Sequence, residues 1–351
     1  MTKHRGLKNN LPKIYRATDM NKWLVLLCFF PLTATGENGT EWETFNVTVE
    51  NDSFALGKSD KYYSSNIRLQ LESVDFDQFN DSNTPKIFRT LFGNTKIFKD
   101  TGSSRSIAYQ IGQSIFTPAD ITVDVPQPDD LPYAGLLYGS VGFKARKETY
   151  ADTIALLAGF VGPVSLAEQT QELVHGITGS DAPKGWKYQL HNEPVLNLSY
   201  ERRWQLKRGI LGDSVHYELV GIGQAKLGNM LTGAELGGAV VISKYTSAVF
   251  RGASSMDPKS GYLFQNDIQK GPYCYFGGTG ELTLRNIFLD GNTFRDSPSV
   301  DKNYTHFSMF WGVGYAISKW NVSMSWTKET ERFKTQNGGF YYGSISVSYR
   351  F

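Results

Sequence analysis

Cysteine is nearly absent from this chain of 351 residues, with only Cys28 and Cys274 present. A disulfide scaffold and a cysteine-based zinc site are therefore excluded, the more so because Cys28 falls in a segment expected to be removed. An excess of either charge is also missing. Lys and Arg total 36 against 34 for Asp and Glu, a balance that gives no hint of a nucleic-acid partner. No apolar run approaches the roughly 20 residues that a helix needs to cross a bilayer. What the chain has instead is aromatic side chains and glycine: 22 Phe, 19 Tyr and 35 Gly. That combination occurs in transmembrane barrels and in soluble all-β proteins.

Residues 20–36 read as a secretory signal peptide. Lys22 supplies the positive start, Trp23 to Phe30 a short apolar stretch, and Ala34-Thr35-Gly36 the small residues of a cleavage site. Met20 is then the expected start, residues 1–19 an upstream extension, and 37–351 the mature domain. An N-terminal anchor helix is the alternative. Cys28 is not preceded by a small residue, which argues against a lipoprotein signal.

The C-terminal segment alternates with period two. Ile345, Val347, Tyr349 and Phe351 interleave with Ser344, Ser346, Ser348 and Arg350. Trp320, Val322, Met324 and Trp326 interleave with Asn321, Ser323, Ser325 and Thr327. Phe45, Val47 and Val49 alternate with Asn46, Thr48 and Glu50; Ile67, Leu69 and Leu71 alternate with Asn66, Arg68, Gln70 and Glu72. One face of hydrocarbon and one of charge suits a barrel whose apolar side meets lipid and whose polar side lines a lumen. The paired tryptophans suit an aromatic girdle, and a terminal aromatic resembles the end signal of outer-membrane proteins.

About twelve such segments can be placed, near 43–52, 62–74, 104–117, 134–147, 152–161, 189–204, 214–227, 232–248, 272–289, 304–318, 319–332 and 339–351. Segments seven to nine alternate weakly. The fold class expected is an all-β, antiparallel transmembrane barrel in a Gram-negative outer membrane. An even count puts both termini on the periplasmic side, so the first strand runs outward. Periplasmic connections should then be short. Those at 147–152 and 318–319 comply, whereas 75–103 and 249–271 do not.

One extracellular connection carries helix formers, residues 165–178, between Gly162-Pro163 and Gly179. Leu166, Leu173, Val174 and Ile177 could form its apolar stripe. Gln171 and His175 share one helical face. On residue chemistry alone that face is either solvated or catalytic. His191, near the rim, and His216, toward the periplasm, are the other histidines placed by this topology. Asn51 and Asp52 end the first strand, Ser64 opens the second, and Asp181 follows the helix. All converge on the extracellular rim, where such oxygen donors could hold a hard cation such as calcium. Ordinary loop polarity is the plainer alternative.

Glu50-Asn51-Asp52 followed by Asp60-Lys61-Tyr62-Tyr63-Ser64-Ser65-Asn66 resembles the opening motif of the LpxR-type lipid A deacylase family. Phe116-Thr117-Pro118-Ala119-Asp120 and the run Asp130 to Tyr138 resemble its second block. Val161-Gly162-Pro163, Gln171, His175, Gly185-Trp186, Gln189 and Asn192-Glu193 resemble its third. The blocks stand in family order over residues 45–204, while the C-terminal half matches only as barrel strands.

The resemblance implies a twelve-stranded outer-membrane barrel that removes 3′-linked acyl chains from lipid A with Ca2+ as cofactor. His175 would be the general base activating water, and Gln171 would orient it or the water. Asp52, Ser64 and Asp181 would hold the metal, and Asn51 would support the site. Ser64 stands where threonine is common, and Leu131 where many members have arginine. The lysine that some members carry after the third strand is missing from residues 119–125.

The expected partners are lipid A or lipopolysaccharide and the outer membrane itself, with no obligate protein partner. Three rival readings remain. One is a phospholipid acyl hydrolase using a Ser–His pair, with Ser64 as the nameable serine. The others are a non-catalytic pore or binding barrel, and a soluble periplasmic β-protein.

Overall fold

A computed structural model describes residues 41–54, 62–80, 82–212, 214–244 and 270–351. The expected signal peptide, the upstream extension and most of the connection 249–271 lie outside these residues. Twelve strands run β1 (Trp42–Asn51), β2 (Ser65–Ser73), β3 (Ser104–Phe116), β4 (Ala134–Arg146), β5 (Tyr150–Val161) and β6 (Glu193–Leu211), then β7 (Val215–Gly228), β8 (Leu231–Ser243), β9 (Lys270–Asn286), β10 (Thr305–Ile317), β11 (Trp320–Glu329) and β12 (Phe340–Arg350). Each pairs antiparallel with its neighbour in sequence. Pairing of β1 with β12 closes the barrel, for example Val47 opposite Val347. Closure leaves no unpaired edge, as a bilayer demands. No helix among the described residues is long and apolar enough to cross a membrane.

Period two decides what faces where. Asn46, Thr48, Glu50, Asn66, Arg68, Gln70 and Glu72 are buried in the lumen, while Ile67, Leu69, Leu196, Leu236, Val313 and Val322 are exposed on the outer wall. The lumen is filled rather than open. Lys144 reaches Glu72 at 2.8 Å and Arg203 reaches Glu201 at 3.0 Å. Asn46 donates to Ser346 at 2.7 Å and to Ser348 at 2.8 Å. Charges inside a wall that faces lipid persist because they are paired with one another.

The weak alternation of β7–β9 has a physical cause. Part of the lumen face there is itself apolar: Val220, Ile222, Val241, Tyr273 and Tyr275 join Phe310 of β10 in one buried cluster. Over that stretch both faces read as hydrophobic, so the period fades. Glycines on neighbouring strands make room for the rings: a Cβ on Gly312 would lie 2.4 Å from the Tyr275 ring.

Segment nine is shorter at its end than its sequence suggests. β9 stops at Asn286, whose side chain caps a single helical turn by accepting from the Phe288 amide at 3.1 Å. That turn, Ile287–Asp290, swings Phe288 into the barrel mouth, where it stacks on Phe116 at 4.0 Å. Tyr62, Tyr63, Phe333, Phe340 and Tyr342 complete an aromatic stopper at this end. Segment six also shifts: residues 189–192 are loop, and β6 continues to Leu211.

Both ends of the barrel chain emerge at one rim, called here the terminal rim. The connections 52–64, 117–133, 162–192, 287–304 and 330–339 gather at the far rim. The long connection 74–103 belongs to the terminal rim and is not a free loop. It forms α1 (Lys86–Phe92) and α2 (Lys96–Lys99), which pack on the outside of the wall. Phe76, Phe79, Phe88, Phe92, Ile97 and Phe98 lie against Ile107, Val141, Phe143 and Ile154 of β3–β5. Arg105, on the outward face of β3, is covered by this segment. Its guanidinium donates to the carbonyls of Ile97 (3.2 Å), Ser103 (2.9 Å), Asp77 and Asp100. An arginine on a lipid-facing wall is costly unless satisfied, and the long connection satisfies it.

Candidate functional site at the far rim

β1 delivers Asn51 and Asp52 to the far rim, and β2 begins beside them. Asp52 opens a short 3-10 turn (Asp52–Phe54) and is 1% exposed. The Asn51 amide donates to the Ser64 carbonyl at 2.7 Å, while its oxygen accepts from the Ser53 amide at 2.7 Å. Asn51 thus fastens the end of β1 to the start of β2. The Ser64 hydroxyl meets that of Thr117 at the end of β3, 2.6 Å away. Below them Glu50 is fully buried and accepts from Tyr63 (2.6 Å), Asn66 (3.1 Å) and Ser344 (2.9 Å). That network ties β1, β2 and β12 into a rigid floor.

The helix expected over 165–178 is α3 (Ala167–Thr178). After β5 the chain turns through Gly162 at φ +100° and Leu166 at φ +60°. A Cβ on Gly162 would lie 2.5 Å from the His191 carbonyl carbon, so only glycine fits. The helix then settles on β4: a Cβ on Gly135 would lie 2.2 Å from that of Ala167. Gln113 of β3 adds a hydrogen bond to the Ser165 carbonyl at 2.7 Å.

α3 buries its polar side. Gln171 is 3% exposed and His175 9%, while Leu173, Val174 and Ile177 face outward. A solvated face for Gln171 and His175 is thereby overturned, and the apolar stripe is not what holds the helix to the barrel. His175 Nδ1 lies 2.6 Å from the carbonyl oxygen of Asp181. A carbonyl can only accept, so Nδ1 carries the proton and Nε2 is left as the basic nitrogen. Asp181 itself has an exposed side chain. Its observed contact with His175 is through the backbone.

Gln171 is oriented from outside the helix. Its Oε1 accepts from the Trp186 indole at 2.9 Å, so the amide NH2 points the other way. That Nε2 is buried with no hydrogen-bond partner among the described residues. Trp186 is held by the Tyr133 ring, whose centroid is 5.0 Å away, and the Tyr133 hydroxyl donates to the Ile121 carbonyl at 3.1 Å. A cavity of about 220 Å³ opens beside Tyr133, lined by Pro118, Val125, Leu131 and Tyr188 among others.

The family model for outer membrane protein LpxR matches residues 23–351. The chain belongs to the LpxR family. Among solved structures, LpxR from Salmonella typhimurium superposes with a TM-score of 0.68 at 16% identity, covering 88% of this chain and all of that one. That likeness establishes the closed twelve-stranded barrel as the family fold. The translocator domain of NalP from Neisseria meningitidis (TM-score 0.35, 11% identity, 95% and 98% coverage) is also similar but carries no further argument. No curated protein matches by sequence. As a member of the LpxR family the chain is an outer-membrane protein, which removes the soluble periplasmic reading.

Within the LpxR fold, the expected site residues divide into two groups. Asn51, Asp52 and Ser64 stand with Thr117 on β1–β3, and Gln171, His175 and Asp181 stand with Trp186 on α3 and the loop after it. Ser64 makes no hydrogen bond to His175 among the described residues, so a Ser–His nucleophilic pair gains no support. Nor do three or more His, Cys, Asp or Glu side chains among the described residues converge as a metal cage. The side chains expected to hold a cation carry only oxygen: a buried carboxylate at Asp52 and the Ser64 hydroxyl, with Thr117 beside it, in the first group, and the exposed carboxylate of Asp181 in the second. Their chemistry suits a hard cation that completes its shell with water or substrate. Thr117, Tyr133 and Trp186 were visible in the sequence only as parts of motif blocks. Their roles depend on hydrogen bonds that no spacing reveals.

Proposed function

We propose that this LpxR-family protein hydrolyses the 3′-linked acyloxyacyl ester of lipid A, using water activated by His175. The observation that carries the reading is the Nδ1 contact of His175 to the Asp181 carbonyl at 2.6 Å, which puts the ring proton on Nδ1 and makes Nε2 the basic nitrogen. Nε2 takes one proton from water as the oxygen attacks the ester carbonyl, and returns it to the departing 3′ oxygen. The products are a free carboxylic acid and a lipid A 3′-hydroxyl, with no covalent enzyme intermediate. The unpaired Nε2 of Gln171 is suited to donate to the oxyanion or to hold the water. Burial makes that hydrogen bond worth more than it would be in solvent.

Calcium is the cofactor we assign, with Asp52, Ser64 and Asp181 as its protein ligands and Asn51 as the brace that holds Ser64. When bound, the metal supplies Lewis-acid polarisation of the ester carbonyl. Lysines from the loop after α3 lie across residues 119–125, where the family lysine is missing: Lys187 pairs with Asp124 at 2.9 Å. The site faces the outer leaflet, where lipopolysaccharide resides. The exposed apolar residues of α3 then meet the acyl region of the substrate's own leaflet.

The test is the mass of lipid A extracted from cells that express the chain. Loss of the 3′ acyl mass that stops with His175→Ala, and stops when calcium is chelated, supports the reading. Unchanged lipid A with a folded, surface-located barrel, together with fatty acid released from phospholipid, would shift the substrate to phospholipid. A filled lumen speaks against the pore alternative. A stable conductance in planar bilayers would revive it.

A further inference from the structure

We propose that the α1–α2 segment is a docking surface for anionic phospholipid of the membrane leaflet at the terminal rim. The inference rests on the outer-membrane barrel alone and is independent of the catalytic reading.

The segment packs on the outside of β3–β5, the same face that carries exposed Leu69 and Phe160 elsewhere on the wall. It is therefore continuous with the surface that meets lipid. Hydrophobic burial drives such packing only where the alternative is water, since lipid tails are as apolar as leucine. An aromatic cluster that folds onto the wall thus belongs at headgroup level rather than in the hydrocarbon. A tyrosine and a tryptophan mark the same end, with the Trp42 and Tyr109 rings 5.9 Å apart.

Charge in the segment is partly sorted by direction. Two of its acids turn toward the barrel, Asp75 bound by Arg146 and Asp100 held by Lys147 at 2.7 Å, while Asp77 is exposed. Its lysines turn away. Lys86, Lys96 and Lys99 are exposed and make no ion pair with the described residues. Between them α1 presents Ile87 at 63% and Leu91 at 59% exposure, one turn apart on the same face. Free lysines flanking exposed aliphatic side chains, on a helix lying against a membrane wall, are what binds an acyl chain and an anionic headgroup together.

The experiment uses the full chain in nanodiscs of equimolar phosphatidylglycerol and phosphatidylcholine, with retained lipid counted by native mass spectrometry. We expect phosphatidylglycerol to be retained preferentially. Each of Lys86→Gln, Lys96→Gln and Lys99→Gln should weaken that preference about fivefold, and the triple variant about 100-fold. Lys334→Gln, at the far rim, should change nothing. Ile87→Ser with Leu91→Ser should shorten retention of both lipids. Heat-modified gel mobility reports whether each barrel has folded. Should the triple variant fail to fold, the salt dependence of the unaltered chain decides instead, because the preference must fall as salt screens the lysines. Equal retention of the two lipids, a preference indifferent to salt, or one unchanged in the folded triple variant would overturn the proposal. Loss of a co-purifying polypeptide in that variant, with lipid retention intact, would assign the surface to a protein and overturn it equally.

Discussion

Two helical segments on this barrel, α1–α2 and α3, turn opposite faces to it. α1–α2 packs Phe88, Phe92, Ile97 and Phe98 against the wall and shows lysines outward with Ile87 and Leu91; α3 buries Gln171 and His175 and shows Leu173 and Ile177 outward. The first arrangement is the ordinary economy of a helix on an apolar wall. The second is costly in the same setting, because an amide and an imidazole lose water when buried. It is tolerated where hydrogen bonds hold the groups, from Trp186 to Gln171 and from His175 to Asp181. Buried polarity with spare hydrogen-bonding capacity marks a place for chemistry, and buried aromatics mark an anchor. In a membrane protein, exposure of apolar side chains is no defect, since the surface they meet is lipid.

Removing the polar pair should break this contrast most severely. His175→Ala should lower release of the 3′ acyl chain by about 10²–10⁴-fold, the usual worth of a general base. Gel mobility should show the barrel intact. A Phe98→Ala variant should leave turnover unchanged, and equal losses from both would erase the distinction between site and anchor.

Moving α3 as a body is the next test. Gly135→Val would force Ser165 and Ala167 away from β4, where a Cβ meets them at 2.1 and 2.2 Å. Overpacking of about 1–3 kcal/mol should be relieved by displacement of α3, with turnover falling about tenfold or more. Full activity in a folded G135V barrel would show that α3 need not sit where it does.

On the anchoring side, Arg105→Ala removes the donor that satisfies four carbonyls of the 74–103 connection. We expect limited proteolysis to cut within that connection at least several-fold faster, as local opening costs less. Deacylation should be unaffected. Loss of deacylation in the folded variant would mean that the two rims are coupled.

The smallest effect is expected from Trp186→Phe. The ring contact with Tyr133 survives, but the Gln171 amide loses the bond that sets its direction. A fall in kcat of about fivefold, with KM unchanged, corresponds to one hydrogen bond of about 1 kcal/mol. A change in KM alone would make Trp186 a binding residue rather than a positioning one.

The barrel was legible because period two is a local property. Ser344 to Phe351 declares an inside and an outside within eight residues, and similar stretches along most of the chain point to a closed barrel, which the β1–β12 pairing completes. Where the lumen is apolar, as at Val220, Val241 and Tyr275, the same logic becomes silent. α3 was legible from its helix formers and from Gly162-Pro163 and Gly179. Its orientation was not, because Leu166, Leu173, Val174 and Ile177 make an apolar stripe whether the neighbour is a protein core or a bilayer. The connection read as 75–103 was an unexplained length. Its aromatic residues, spaced irregularly, acquire meaning only once Arg105 and Phe143 are seen to face outward beneath them.

By itself the sequence determined the class of fold, the strand order and the end of the barrel to which Asn51, Asp52, Ser64, Gln171, His175 and Asp181 belong. Strand alternation and chain direction require nothing more. Only the tertiary structure decided that α3 turns its polar face inward, that Trp186 sets the Gln171 amide and that a backbone carbonyl sets the His175 tautomer. Those outcomes depend on hydrogen bonds between groups distant in sequence. A hydrogen bond is fixed by distance and angle, which no pattern of residues along the chain encodes.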